Sequence, residues 1–452
     1  MRWGRFQRRY ADGVWRNWSR ELSCVPAAIE HPESREDVVA AVRRAAGAGR
    51  AVRVAGAGHS FTELVPTDGT LLLLDRMDRV LDVDRASGLV RVEAGITIHE
   101  LSAGLAGHGL ALENLGDIDV QSIAGAMATA THGTGRRLGN IPSQVVEVEL
   151  VTGEGEVVCC SAEQDTDAWR AARVSLGALG VITAVTLRCV PAFTLRGVDR
   201  PAPLEETLDA LDELVDGNEH FEFFTFPHSP LALTRTNNRA DALPAPPGRA
   251  REWAEDILLG NHVFGTLCRL GRRFPDQIPQ LNRLVSRVAG SQTRLDRSDR
   301  VFASPRLVRF TEMEYALPRE HAAAAVRGVR ELIDARGFHV NFPIELRFVA
   351  GDDALLSPAH DRDTAYVAVH TFEGMDFEPY FRAVEELMDG LGGRPHWGKR
   401  HFQTAATLRD RYPEWDRFAA VRARLDPAGL FANAHVERVL GPVGAPVGAR
   451  TS

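Results

Sequence analysis

Three short runs carry the residue types that could do chemistry. In Arg53-Val54-Ala55-Gly56-Ala57-Gly58-His59-Ser60-Phe61 a reactive imidazole follows a glycine-rich turn at the end of an apolar segment. Glycines at 56 and 58 admit positive φ and let backbone N–H groups approach a phosphate, so Gly56, Ala57, Gly58, His59 and Ser60 point to a nucleotide cofactor. A dinucleotide-binding βαβ unit would need G-x-G-x-x-G opening a helix, but Glu63, Pro66, Asp68 and Gly69 follow instead, and that reading fails. In Phe342-Pro343-Ile344-Glu345-Leu346-Arg347-Phe348 an acid and a guanidinium stand two residues apart, which on a strand places both on one face. On spacing alone that pair reads first as a surface ion pair. The third run is Gly393-Arg394-Pro395-His396-Trp397-Gly398-Lys399-Arg400-His401. His396 and His401 fall on different helix faces with no Cys or third His near them, so no metal is expected.

A second glycine-rich run, residues 114–135, reads N-L-G-D-I-D-V-Q-S-I-A-G-A-M-A-T-A-T-H-G-T-G. Its small residues permit close approach to a bulky planar or phosphorylated ligand, and Ser122, Thr129, Thr131 and Thr134 offer hydroxyls. Read alone, it is equally a tightly packed helix of small residues.

Together, and in this order, these runs resemble the vanillyl-alcohol-oxidase superfamily, and within it the sugar-lactone and alditol oxidases, over roughly residues 17–440. V-x-G-x-G-H-S-F resembles the first flavin-contact loop, which implies FAD attached covalently through His59. The S-x-A-G and T-H-G-T-G segments imply a cradle for the FAD pyrophosphate and ribityl chain at Ser122, Gly125, Thr129, His132 and Gly133. Residues 175–183, with Ile182, resemble the segment that meets the adenine. The H-W-G-K match implies that Lys399 lies beside the flavin pyrimidine edge, where an ammonium stabilises the charge that develops on reduction. The E-L-R match implies that Glu345 and Arg347 meet the substrate hydroxyls and help take a proton while hydride leaves carbon, with His370 and Thr371 on the same side.

Alditol oxidases carry a Ser where this chain has Asp117, and Asn114-Leu115-Gly116 with the following I-x-x-Q-S resembles the gulono- and arabinono-lactone branch. The resemblance therefore implies FAD-dependent oxidation of L-gulono-1,4-lactone or D-arabinono-1,4-lactone by hydride transfer to flavin N5, with Asp117 in the substrate site. The acceptor is O₂ or a cytochrome or quinone carrier, and the absent side chain at Gly116 favours O₂ access. Oxidation of a xylitol- or sorbitol-type alditol is the alternative in the same fold. A flavin-free sugar-binding protein is the alternative outside catalysis.

The elements that must position these residues follow from length and periodicity. At 452 residues the chain exceeds the roughly 250–300 residues of a single core, so two domains are expected. Residues 17–195 are assigned to an FAD-binding α+β domain. Residues 196–440 are assigned to a substrate or cap domain with a mixed sheet, its C-terminal part packing near the flavin, and the boundary falls within 191–203. Ser34 caps a helix that stops near Gly47 and Gly49, short strands cover 52–55, 71–74 and 90–94, and Thr97 with Glu100 forms a capping box. Residues 145–160 read as a hairpin, and 180–187 as a further strand. The middle of the chain reads as less regular, with a loop over 241–251. Helices are expected over 320–335 and 377–387, and strands over 342–348 and 365–371.

Composition limits the partners. A formal net charge of −8 argues against nucleic acid. The first twenty residues are basic, with Arg2, Arg5, Arg8, Arg9, Arg16 and Arg20 against Asp12, but no apolar stretch follows Arg8-Arg9 as an export signal requires. They read as a solvated arm, with a weak membrane-surface contact as the alternative. No stretch approaches the roughly 18 apolar residues of a membrane span. Five cysteines without C-x-x-C spacing fit the cytoplasm.

Overall fold

The computed structural model of the chain describes residues 10–11, 13–288 and 290–444. Arg2, Arg5, Arg8, Arg9 and Asp12 of the basic arm lie outside the described residues. Among those residues no helix is long and apolar enough to cross a membrane.

The first half is built as its local signals dictate. Helix Arg35–Gly47 starts where Ser34 accepts the Asp37 N–H, carries Glu36 and Asp37 in its positive first turn, and buries Val38, Ala41, Val42 and Ala45. It leads into strand Val52–Ala55, one edge of a parallel sheet whose central strand is Thr70–Leu73 and whose other edge is Ala28–Glu30. Helix Ile98–Gly107 opens on the complete Thr97–Glu100 capping box. Hairpin Val145–Val151 and Val157–Ser161 joins Val181–Arg188, Leu89–Glu93 and Val80–Asp84 in an antiparallel five-stranded sheet. The core beneath these sheets also takes Trp397, Phe418, Val421, Phe431 and Val436, so the last part of the chain returns to pack with the first.

The second large element is an eight-stranded sheet in the order Gln292–Arg297, Thr194–Pro203, Leu231–Ala240, His220–Thr225, Ile344–Val349, Thr364–Phe372, Phe310–Pro318 and Arg394–Pro395. The sheet expected to be mixed is antiparallel at every pairing. Strands Phe310–Pro318 and Ile344–Val349, joined through helix Ala322–Arg336, do run the same way, but Thr364–Phe372 lies between them and pairs with both. Period-two alternation then sorts the side chains. Met313, Tyr315, Leu346, Val367 and Val369 pack on one face beneath helices Ala322–Arg336 and Glu378–Gly390. Each large apolar side chain buried there contributes about 1.5–3 kcal/mol, which lets the opposite face hold charged groups that destabilise the fold.

The middle, expected to be less regular, is largely helical beyond the loop at 241–248: Trp253–Val263 is a π-helix, followed by helices Phe264–Arg273 and Ile278–Val288.

Candidate active site

A cavity of about 400 Å³ is lined by the ends of the parallel sheet, by Ala94 and Gly95, and by residues of the two small-residue runs. That volume is within the roughly 300–1,000 Å³ range of small-molecule sites. Gly56, Ala57, Gly58, His59, Ser60, Ser122, Gly125, Thr129 and Ile182 all line it. Much of its wall is backbone and small side chains, with Trp15, His31, Leu73, Leu74 and Asp75 also lining it. Ser122 begins helix Ile123–Ala128 without using its side chain as a cap. Its hydroxyl faces Gly56 instead, and a Cβ at Gly56 would overlap it. Gly58 has φ of +61°, a conformation that L side chains rarely adopt. This cradle fits the close approach of a large cofactor such as FAD.

Two devices hold the cradle. The buried Arg53 guanidinium donates to Leu64 O at 2.7 Å, Leu176 O at 2.9 Å and Gly177 O at 3.1 Å, and also to Phe431 O, tying distant segments around one edge. Burial pulls its pKa down to about 10, so it remains a cation. At the other edge Trp18 N–H donates to Gly58 O at 2.7 Å, and the Trp18 ring stacks on His59 with centroids 5.3 Å apart.

His132, Gly133 and Lys399 stand outside the residues lining this cavity. The turn carrying Lys399 is nevertheless stitched to the cofactor loop: Phe61 N–H donates to Gly398 O at 2.8 Å and Thr62 Oγ1 to Trp397 O at 3.2 Å. Lys399 Nζ lies 5.3 Å from the Phe61 ring centroid and is ion-paired with Glu312. A Cβ at Gly133 would overlap Leu115 O and Asn114 Oδ1, so its bare backbone lets the strip before Asp117 lie against it.

The charged face of the large sheet gathers carboxylates, cations and a histidine, groups able to hold or move a proton. Glu345 and Arg347 share one face of their strand and form an ion pair. Arg347 Nε also lies 2.8 Å from Glu222 Oε2, and its Nη2 lies 3.4 Å from Asp117 Oδ2. Asp117 is paired in addition with Arg306. Glu222 continues to Arg235 at 3.3 Å, and Arg235 grips Asp199 through two bonds of 2.7 and 2.9 Å. One guanidinium thus faces three carboxylates. Burial pushes the Glu345 carboxyl up, Arg347 opposes this, and Asp117 and Glu222 add to it, leaving the group at about 7. Burial also raises Asp117, but Arg347 and Arg306 outweigh it and hold that carboxyl below its usual range.

Along the adjacent strands, His370 Nδ1 donates to Pro343 O at 3.0 Å while its Nε2 lies 3.5 Å from Glu312 Oε1. Burial works against the Lys399 ammonium, yet Glu312 and Glu314 raise its pKa and keep it charged. Thr371 points away from His370, as neighbours on a strand must. His132 donates Nδ1–H to Gly133 O at 2.8 Å and meets Glu314 Oε1 through Nε2 at 3.1 Å, while Tyr366 stacks on its ring.

His132, Glu314 and His396 offer ligand atoms within 4.8 Å of one another, a grouping that the sequence spacing of His396 and His401 did not disclose. His396 Nδ1 accepts the Gly398 N–H at 3.0 Å, which puts the ring proton on Nε2 and removes that nitrogen's lone pair from metal binding. Burial lowers the His396 pKa to about 3, so the ring is neutral.

Sequence reading missed Glu222, Glu312, Glu314, Arg235 and Arg306. For Glu312 and Glu314 the signal was present, because Thr311-Glu312-Met313-Glu314-Tyr315 has the same two-residue spacing in an apolar strand that singled out Glu345 and Arg347. Glu222 stands alone among aromatic residues, and Arg306 lies in irregular chain. Neither has a local pattern.

The D-arabinono-1,4-lactone oxidase family matches residues 185–439, and the FAD binding domain family matches residues 26–161. A protein of Mycobacterium tuberculosis named L-gulono-1,4-lactone dehydrogenase is 53% identical over 430 residues, covering 95% of this chain and 99% of its own length. L-gulonolactone oxidase of Bos taurus is 35% identical, covering 95% of this chain and 99% of its own. Among solved structures, cholesterol oxidase from B. sterolicum superposes with a TM-score of 0.82 at 20% identity over 95% of this chain and 97% of that one, so the fold is shared. With that fold, a cradle of the right size and a family match over more than half its length, the chain belongs to the D-arabinono-1,4-lactone oxidase family of FAD-dependent oxidoreductases.

Proposed function

We propose that this enzyme oxidises a secondary hydroxyl of an aldono-1,4-lactone, L-gulono-1,4-lactone first and D-arabinono-1,4-lactone second, and that His59 carries the FAD through its imidazole. The observation that carries the reading is Glu345, a largely buried carboxyl pushed up to about 7 and paired with Arg347, because oxidation of an alcohol needs a base for the hydroxyl proton. FAD, when bound, supplies the two-electron acceptor for the hydride leaving carbon. Glu345 takes the hydroxyl proton, and Arg347 and Asp117 orient the lactone. Lys399, kept charged by Glu312, faces the negative charge that develops, and His370 holds Glu312 from its other side. Phe61, Phe310 and Phe342 cluster beside these groups, and the reduced access of water there strengthens each charge interaction.

In this reading residues 17–195 hold the FAD, with His132 and Gly133 completing its cradle, and residues 196–440 supply the substrate face and the segment that returns beneath the cofactor. Electrons pass to O₂ or to a cytochrome or quinone carrier. All five cysteines are free, which supports a reducing compartment and hence the cytoplasm.

The test is anaerobic reduction by L-gulono-1,4-lactone, D-arabinono-1,4-lactone, xylitol and sorbitol, followed by reoxidation with O₂ or cytochrome c. Lactones are expected to exceed polyols by about tenfold or more in kcat/KM, which needs about 1.4 kcal/mol of differential transition-state binding. A polyol preference of that size would reassign the enzyme to alditols. Denatured protein stays yellow; complete release of flavin on acid precipitation would remove the covalent link and leave FAD binding intact. A colourless holo-preparation would favour a sugar-binding protein.

A further inference from the structure

Residues 253–288, three helices with a 3-10 turn at Pro275–Gln277 between the last two, leave many apolar side chains exposed on their outer side. Trp253–Val263 buries Asn261 and exposes Trp253, Leu258, Leu259 and Val263. Asn261 donates to Asp256 O at 2.6 Å and Pro305 O at 3.0 Å and accepts Leu307 N–H at 2.7 Å, so the polar side chain anchors the segment. Phe264–Arg273 buries Gly265, Cys268 and Gly271 while Leu270 and the following Phe274 are open. Ile278–Val288 buries Asn282 and Ser286 beside Ile278, and leaves Leu284 and Val288 exposed at 52% and 73%. Of the fourteen large apolar side chains exposed among the described residues, ten fall within residues 243–307. Scattered exposed leucines are ordinary, but this concentration marks an unpartnered surface.

The last two helices are basic, and the acids of the first, Glu255 and Asp256, are paired with Arg251 and Arg294. Arg269, Arg272, Arg273, Arg283 and Arg287 are exposed, against Asp276 as the one acid between residues 264 and 288, in a chain whose net charge is −8. None of the five is ion-paired with a carboxylate among the described residues. A second copy is a poor occupant, because an isologous contact would set this arginine cluster against itself. Leucine and valine are also under-represented where protein partners bind tightly. Helices presenting leucines, a tryptophan and a phenylalanine with arginines beside them fit the boundary between acyl chains and anionic headgroups.

We propose that residues 253–288 dock this enzyme on an anionic lipid surface. The patch adjoins the site: the Phe264 ring is 5.0 Å from Phe342, whose centroid is 5.9 Å from His370. Docking would therefore bring the substrate face to within two ring contacts of the bilayer.

Flotation with vesicles of phosphatidylcholine alone or mixed with phosphatidylglycerol tests this on the purified holoenzyme, without lactone or electron acceptor. The wild type is expected to float with the mixed vesicles, and to be released by salt. The triple variant Leu259→Ser, Leu270→Ser, Leu284→Ser should bind them at least about tenfold more weakly, from lost apolar insertion. Arg269→Gln with Arg273→Gln and Arg287→Gln should lose the preference for phosphatidylglycerol. Lactone oxidation with a soluble acceptor stays unchanged in both, which separates this proposal from the assignment of the reaction. Failure of the wild type to float, or flotation equal in all three proteins, would overturn it. So would a dimer in solution that the leucine variant dissociates, since the face would then join two copies.

Discussion

The cavity proposed to hold the flavin and the charged face of the large sheet lie side by side but are made of different materials. The cavity is largely backbone and small or apolar side chains contributed by short runs, with one arginine at its edge. The sheet face is carboxylates and cations from strands, a loop and a turn that are far apart in the chain, joined in ion pairs. The difference teaches what each part must do. A large cofactor needs space and N–H donors, which glycine loops provide without side-chain entropy. A proton and a hydride need groups of set charge at set positions, which only mutual pairing in a buried place provides. The comparison can be broken at either member.

The largest effect is expected from Arg347→Leu. Glu345, Glu222 and Asp117 would lose a shared guanidinium, and leaving buried carboxylates without it should cost about 3–5 kcal/mol in urea unfolding. Flavin reduction at saturating lactone should slow on the order of 10²–10³ while FAD stays bound. Adding Lys399→Ala should do little further harm if the two cations act in one step. A near-wild-type rate in stopped flow would reduce the Glu345–Arg347 pair to a structural ion pair.

The next test uses pH. Because Glu345 sits at about 7 and must be ionised to act as a base, the reduction rate should rise through that pH and level off above it. The sign for stability is opposite. The folded state keeps this proton above the ordinary carboxyl range of about 4.3, so the group's contribution to stability is full at low pH and is lost as pH rises through about 7. Glu345→Gln should flatten both profiles, and a rate profile that keeps its rise in this variant would assign the base elsewhere.

The smallest effect is expected in the cradle, from Gly56→Ala. Its Cβ meets the Ser122 hydroxyl, which can rotate away, so the strain should be about 1 kcal/mol and should appear as faster loss of FAD in a His59→Ala background. Ser122→Ala should restore retention by removing the overlapping atom. Equal retention in all three would mean that cofactor does not approach this wall.

Local physics made much of the molecule legible in advance. Ser34, the Thr97–Glu100 box and the hairpin at 145–161 act over a few residues, and they form where the sequence places them. The cradle was legible for the same reason, since its glycines and hydroxyls are consecutive. What only the tertiary structure decided is which distant groups meet. Nothing local tells Glu222 that it will share Arg347, or Arg306 that it will hold Asp117, because a charge on one strand acquires its partner through sheet register and loop packing. Periodicity likewise locates the apolar stripe Ile278, Leu281 and Val285, which faces inward, but not what else is buried or exposed beside it. Asn282 finds the carbonyls of Pro227 and Val340 inside, and Leu284 is left outside. The sequence determined the local conformations and the cofactor loops through short-range sterics and hydrogen bonding; the charge states of the site are set by long-range contacts in a buried, low-dielectric face, which exist only once the sheet is assembled.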